Sequence, residues 1–217
     1  MVQGNYLITS VDIEKKGKSD SIRICNNDEA RNEFLNYRRI NEFVWNKLLK
    51  KSFVLNNHLF NKEGIINEDL LWTFYVLKCL NKACLLKTIT YNYHIRSGSI
   101  SSSTSQNKQG LSYSVIYNEI LENLTQGKER GELKGYLYNF SYNYATYVSE
   151  APELNQVLVQ YKKRAKQYGC WYVLFVLSAV SITSHINSLP SILQVLNKTR
   201  LKLKENSINI NKLRVGC

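Results

Sequence analysis

Two adjacent carboxylates, Glu68 and Asp69, stand directly before the apolar run Leu70-Leu71-Trp72, at the end of the stretch EGIINEDLLW that begins at Glu63. Acids at the edge of a buried segment suit two kinds of work. They can complement the positive amino end of a helix, an effect of roughly 0.3–1 kcal/mol each. A carboxylate kept ionised by that same field, and made more basic by partial burial, can instead take a proton from a hydroxyl as general base. The residues alone leave both readings open.

The elements around the pair can be read from spacing. Asn67 is a good cap for a helix from Glu68 to about Leu80, in which Leu70, Phe74 and Leu77 line one face and Leu71 and Tyr75 a neighbouring one. Such a helix is buried. Val2 to Val11 reads as a strand, Glu14 to Lys18 as a polar turn, and Ser21 to Cys25 as the second strand of a hairpin. Asn27 or Asp28 is placed to cap a helix through Phe34, Leu35 and Tyr37, and a shorter helix is expected around Ser52 to Asn57. Ala83 to Ile95 is β-branched and aromatic, hence a strand. A serine-rich loop composition follows Arg96-Ser97-Gly98-Ser99-Ile100. Beyond it the pattern turns helical, with helices predicted at Tyr113 to Leu124, Gly131 to Tyr147, Pro152 to Tyr168, Cys170 to Ser184 and Ser188 to Glu205.

Bulk composition narrows the class. With 217 residues, 44% hydrophobic and 21% charged, the chain is globular rather than disordered. A net charge of +12 attracts polyanions, anionic lipid surfaces and phosphorylated small molecules alike. Nucleic acid has no zinc spacing or aromatic-glycine sheet motif in its favour. Five scattered cysteines without a Cys-x-x-Cys pair read as reduced thiols, which suits a cytoplasmic setting. The start lacks a secretory pattern. The longest apolar stretch, Cys170 to Val180, is shorter than the about 20 residues a bilayer needs, and reads as a core helix.

Taken in order, Trp45-Asn46-Lys47-Leu48, Phe60 with Glu63-Gly64-Ile65, Glu68-Asp69-Leu70-Leu71-Trp72, Tyr91-Asn92-Tyr93 and Arg96-Ser97-Gly98-Ser99-Ile100 resemble the second half of family 2 glycosyltransferases of the GT-A fold. These are bacterial enzymes that build cell-surface polysaccharide and lipopolysaccharide. The resemblance covers about residues 1–105. It implies an α/β fold, with a partial GT-A, Rossmann-like sheet region over 1–105 followed by an all-helical region over 106–217. It also implies an inverting transfer from a nucleotide-sugar donor to a glycan or lipid-linked acceptor, with Asp69 removing the acceptor's proton. By the same resemblance Glu68, Trp45, Asn46, Lys47 and Trp72 are substrate-binding candidates, and Arg96 and Ser99 would hold the donor diphosphate. Relatives often carry a histidine where Arg96 stands; arginine binds phosphate oxygens in a fork and cannot ligate a cation. His94, two residues earlier, is read as structural.

The family begins with a nucleotide-binding half that ends in an Asp-x-Asp pair holding Mg²⁺ or Mn²⁺. That pair does not occur in this sequence. The chain is therefore expected to begin mid-domain and to bind donor poorly by itself. A split-gene fragment, a shortened chain, and a half that works with a separate amino-terminal polypeptide all fit. The alternative function is a non-catalytic basic module for anionic membrane or nucleic acid. Basic runs at 161–166 and 198–204 would either lie against an anionic inner leaflet, as in a peripheral protein, or form a solvated face over a helical bundle.

Overall fold

A computed structural model describes residues 1–10, 13–16, 21–36, 38–95, 98–99 and 103–183. The predicted helix at Ser188 to Glu205 and the diphosphate candidate Arg96 lie outside them. The described chain is mixed α/β and mostly helical: β1 (Val2–Ser10), β2 (Ile13–Lys16), β3 (Ile22–Ile24), α1 (Asn27–Leu35), β4 (Lys47–Leu48), α2 (Lys51–Asn56), α3 (Glu68–Cys79), β5 (Ala83–His94), then α4 (Gln106–Glu122), α5 (Glu129–Tyr147), α6 (Leu154–Gln167) and α7 (Trp171–Thr183).

The strands form one mixed sheet in the order β2-β1-β5-β3, with β4 also pairing β1. β1 and β5 run parallel, from Val2 opposite Cys84 to Thr9 opposite His94, and the other pairs are antiparallel. The register slips next to Gly4, where a Cβ would lie 1.7 Å from Thr90 Oγ1, so only glycine permits the close approach of the two strands there. The hairpin differs from its expected form. β1 pairs with Ile13–Lys16, read from composition as mostly turn, whereas the strand at 22–24 crosses to β5. Ile24, 1% exposed, explains the crossing: on β5 it lies in the same apolar cluster as Leu77 and Leu80 of the helical layer.

Cap chemistry accounts for the helix ends. Asn26, one residue before the expected cap, accepts from the Glu29 amide at 2.8 Å and opens α1. Asn27 instead donates to the carbonyls of Leu77 and Leu80 at 2.6 and 2.8 Å, satisfying the carboxyl end of α3. Ser105 caps α4 by accepting from Lys108 N, so this helix starts seven residues earlier than periodicity predicts. Its first turn is polar and carries no apolar spacing to reveal it.

One apolar cluster runs from Ile24, Phe34 and Leu85 beside the sheet, through Leu70, Phe74 and Leu77 of α3, into Ile116, Phe140, Tyr161 and Leu177 of the later helices. Gly135 lets α5 approach α1, since a Cβ there would lie 2.7 Å from Leu35 Cβ. Among the described residues Cys25, Cys79, Cys84 and Cys170 are free thiols.

Candidate functional site

Asp69 is the second residue of α3. Asn67 precedes the helix, but not as the predicted side-chain cap: its backbone is left-handed, φ 59°, and its side chain makes no capping bond. This turn swings the chain into the helix with Glu68 and Asp69 on the rim of a cleft of about 910 Å³, bounded also by Trp45, Tyr93, Ser99 and Gln109. On its other side Asp69 borders a smaller pocket of about 250 Å³, formed by Glu42, Tyr113, Asn139, Tyr142 and Asn143. The carboxylate thus stands in the wall between two concavities.

Glu42 comes to this wall by a backbone contact. The Thr73 hydroxyl, one turn along α3 from Asp69, donates to the Glu42 carbonyl at 3.0 Å. The same loop is pinned to β1 from below: Gln3 Nε2 donates to Arg39 O at 2.7 Å, and Asn41 N donates to Gln3 Oε1 at 3.2 Å. Lys47 points back into the loop, its Nζ donating to Asn41 Oδ1 at 2.9 Å and to the Phe43 carbonyl. Three charged groups are therefore gathered in a small, partly dry volume.

Their protonation follows from that crowding. Burial, and then the like charges of Glu42 and Glu68, push the Asp69 carboxyl up to about 6; an accepted Leu70 amide bond and the Lys47 charge only partly oppose them. Burial likewise draws the Lys47 ammonium down to about 7 against the pull of Glu42 and Asp69. Tyr113, facing the same pocket, is raised by burial, so its hydroxyl stays protonated at neutral pH. A carboxylate with these neighbours can accept a proton near neutrality, which an exposed aspartate does poorly.

Trp45 forms the aromatic wall of the larger cleft. It stacks on Phe43 at 4.9 Å, Tyr91 at 4.5 Å and Tyr93 at 5.2 Å, with Tyr6 edge-on at 5.2 Å. Three strands or loops thus fix one ring face beside the acids. Ser99 reaches the cleft on a turn opened by Gly98 at φ 76°, and its carbonyl accepts from the Ser103 amide at 2.9 Å.

Three substrate-binding candidates lie outside the lining of the larger cleft. Trp72 is 6% exposed, and its Nε1 donates to the Leu59 carbonyl at 3.1 Å, so it anchors α3 in the core and does not line the cleft. Asn46 is 5% exposed and ties its loop to β1: its Nδ2 donates to Gly4 O at 3.2 Å, and Gly4 N donates to Asn46 O at 3.0 Å. Lys47 is not among the cleft-lining residues either; it lies behind the wall and acts on Asp69 through its charge. Glu42, Tyr113, Asn139, Tyr142 and Asn143 were not singled out from sequence. The only local signal is the i, i+4 pair Asn139 and Asn143 in the tyrosine-rich second half of α5.

Among the described residues no group of three or more His, Cys, Asp or Glu side chains stands close enough to hold a metal ion. The sequence contains no Asp-x-Asp pair, the ligand set that the resemblance implies for a divalent cation. No protein-family model matches the chain, and a search of curated proteins finds no match.

Proposed function

We propose that this chain carries the acceptor-activating side of an inverting glycosyl transfer. In this reading a sugar hydroxyl enters against Asp69, which takes its proton as the oxygen attacks the anomeric carbon of a nucleotide-diphosphate sugar; the diphosphate leaves with the bonding electron pair. The larger cleft, with the Trp45 face and the Ser99 turn, takes the donor. The smaller pocket, with the Tyr142 ring and the Asn139 and Asn143 amides, takes the acceptor sugar. Its volume of about 250 Å³ suits one hexose ring.

The observation that carries the reading is the position of Asp69 between the two concavities with its carboxyl pushed up to about 6. A general base beside a substrate pocket needs both features. A dipole-complementing acid would sit on the surface with an ordinary proton affinity. The GT-A, Rossmann-like ancestry and the cell-surface glycan role rest on the sequence resemblance and are part of the same proposal.

The test is nucleoside-diphosphate release from a panel of nucleotide-diphosphate sugars with Mg²⁺ or Mn²⁺ and simple glycan acceptors. It is run with the chain alone and with an Asp-x-Asp-bearing nucleotide-binding half added as a second polypeptide. Acceptor-dependent release is expected in the second arrangement, and Asp69→Asn should lower it by about 10²–10⁴. Release in neither arrangement, or release indifferent to Asp69→Asn, overturns the proposal.

A further inference from the structure

The sequence reading of Cys170 to Val180 as a core helix holds for only one side of α7. Val173, Val176, Leu177 and Val180 are buried against the other helices. On the opposite side Trp171, Phe175 and Ile182 are 72%, 73% and 74% exposed, with Tyr172 beside them at 57%. At the angular step of an α-helix, Trp171, Phe175 and Ile182 fall within about 60° of one another. α7 has no charged residue. A monomer in water gains nothing from such a stripe, and contiguous exposed patches of this kind mark contact surfaces.

We propose that this face docks on an anionic phospholipid surface. The charge beside the stripe selects that occupant. The helix directly before α7, α6, carries Lys162, Lys163, Arg164 and Lys166 and no acid. Lys163 and Lys166, both exposed on the last turns of α6, lead through Gly169 at φ 64° straight into Trp171. Two copies of the chain meeting at α7 would bring these like charges together, whereas lipid phosphates neutralise them. Tryptophan and tyrosine at one end of an apolar helix face suit the headgroup level, with Phe175 and Ile182 reaching the acyl boundary. Among the described residues no helix is long and apolar enough to cross a membrane, and in this proposal α7 lies along the surface. This inference stands independently of the transfer reading.

The experiment is co-sedimentation of the full chain with phosphatidylcholine vesicles with or without phosphatidylglycerol. Binding is expected to be at least about tenfold tighter with phosphatidylglycerol present and to weaken with salt. Phe175→Glu with Ile182→Glu should reduce it about tenfold or more at an unchanged thermal unfolding midpoint. Lys163→Glu with Lys166→Glu, which leaves the apolar face intact, should reduce it at least about fivefold. The fluorescence blue shift on binding should vanish in Trp171→Phe, because Trp45 and Trp72 lie elsewhere. Vesicle binding unaffected by both double variants overturns the proposal, as does an absence of binding. Self-association abolished by Phe175→Glu would identify a second copy as the occupant and overturn it equally.

Discussion

At the scale of single residues the decisive contest is between the helix field and burial at Asp69. The amino end of α3 favours the ionised form, and from sequence that field is expected to keep it so. In the folded chain burial and two neighbouring carboxylates win, and the carboxyl rises to about 6. The stability consequence has a definite sign. An acid whose folded value exceeds its ordinary 3.8 binds its proton more tightly when folded, so stability is full below about pH 3.8 and falls as pH rises through about 6. Asp69→Asn removes that penalty. It should stabilise the chain by about 1–3 kcal/mol at pH 7 to 8, with the gain vanishing below about pH 4, as read from thermal melts across pH; a gain independent of pH would contradict this. Glu42→Gln tests the crowding directly: with one like charge gone, the Asp69 titration followed by carbon-13 NMR should move to lower pH. Asp69 was legible because two acids abut an apolar run. Glu42 was not, because its approach depends on a bond from Thr73, 31 residues away.

At the scale of elements the chain declares its helices by periodicity and hides its pairings. The parallel partnership of β1 and β5 spans more than 80 residues, and the crossing of β3 to β5 follows from where Ile24 can be buried, not from local turn chemistry. Trp72 and Trp45 show the same limit within one residue type: both sit in apolar runs, yet one is a core anchor and the other a cleft wall, because only the packing of α3 and of the 43–47 loop decides which way each faces. The junction of α1 with α5 carries a buried ion pair, Arg31 with Glu132, that is 7% and 2% exposed. Arg31 also donates to Thr125 Oγ1 at 3.0 Å, and Glu132 accepts from the Thr125 amide at 2.7 Å. Removing one partner strands a charge in the core. Arg31→Met should cost about 3–5 kcal/mol in urea denaturation, and Arg31→Met with Glu132→Leu should recover most of it, since the paired apolar replacement leaves no uncompensated charge. Equal losses in the single and double variants would contradict this account.

At the scale of the whole molecule, the later helices form part of the candidate site. Tyr113 of α4 and Asn139, Tyr142 and Asn143 of α5 close the pocket beside Asp69, while the loop before α3 is held to α4 by the Ile66 amide donating to Ser112 Oγ at 3.1 Å. The sequence landmarks stop near residue 105, so this contribution was invisible from motif spacing; it depends on how the helical layer folds back over α3. Such folding brings the Asp69 carboxyl, an aromatic wall and a polar pocket together, and carries the apolar face of α7 on the same body. The proposed transfer turns on Asp69 accepting the acceptor's proton. It is tested most directly by kcat/KM for acceptor-dependent nucleoside-diphosphate release between pH 5 and 8. The account predicts a rate that rises with pH through a limb near 6 in the wild type and loses that limb in Asp69→Asn; a profile flat across this range, or a limb that survives the substitution, would contradict it.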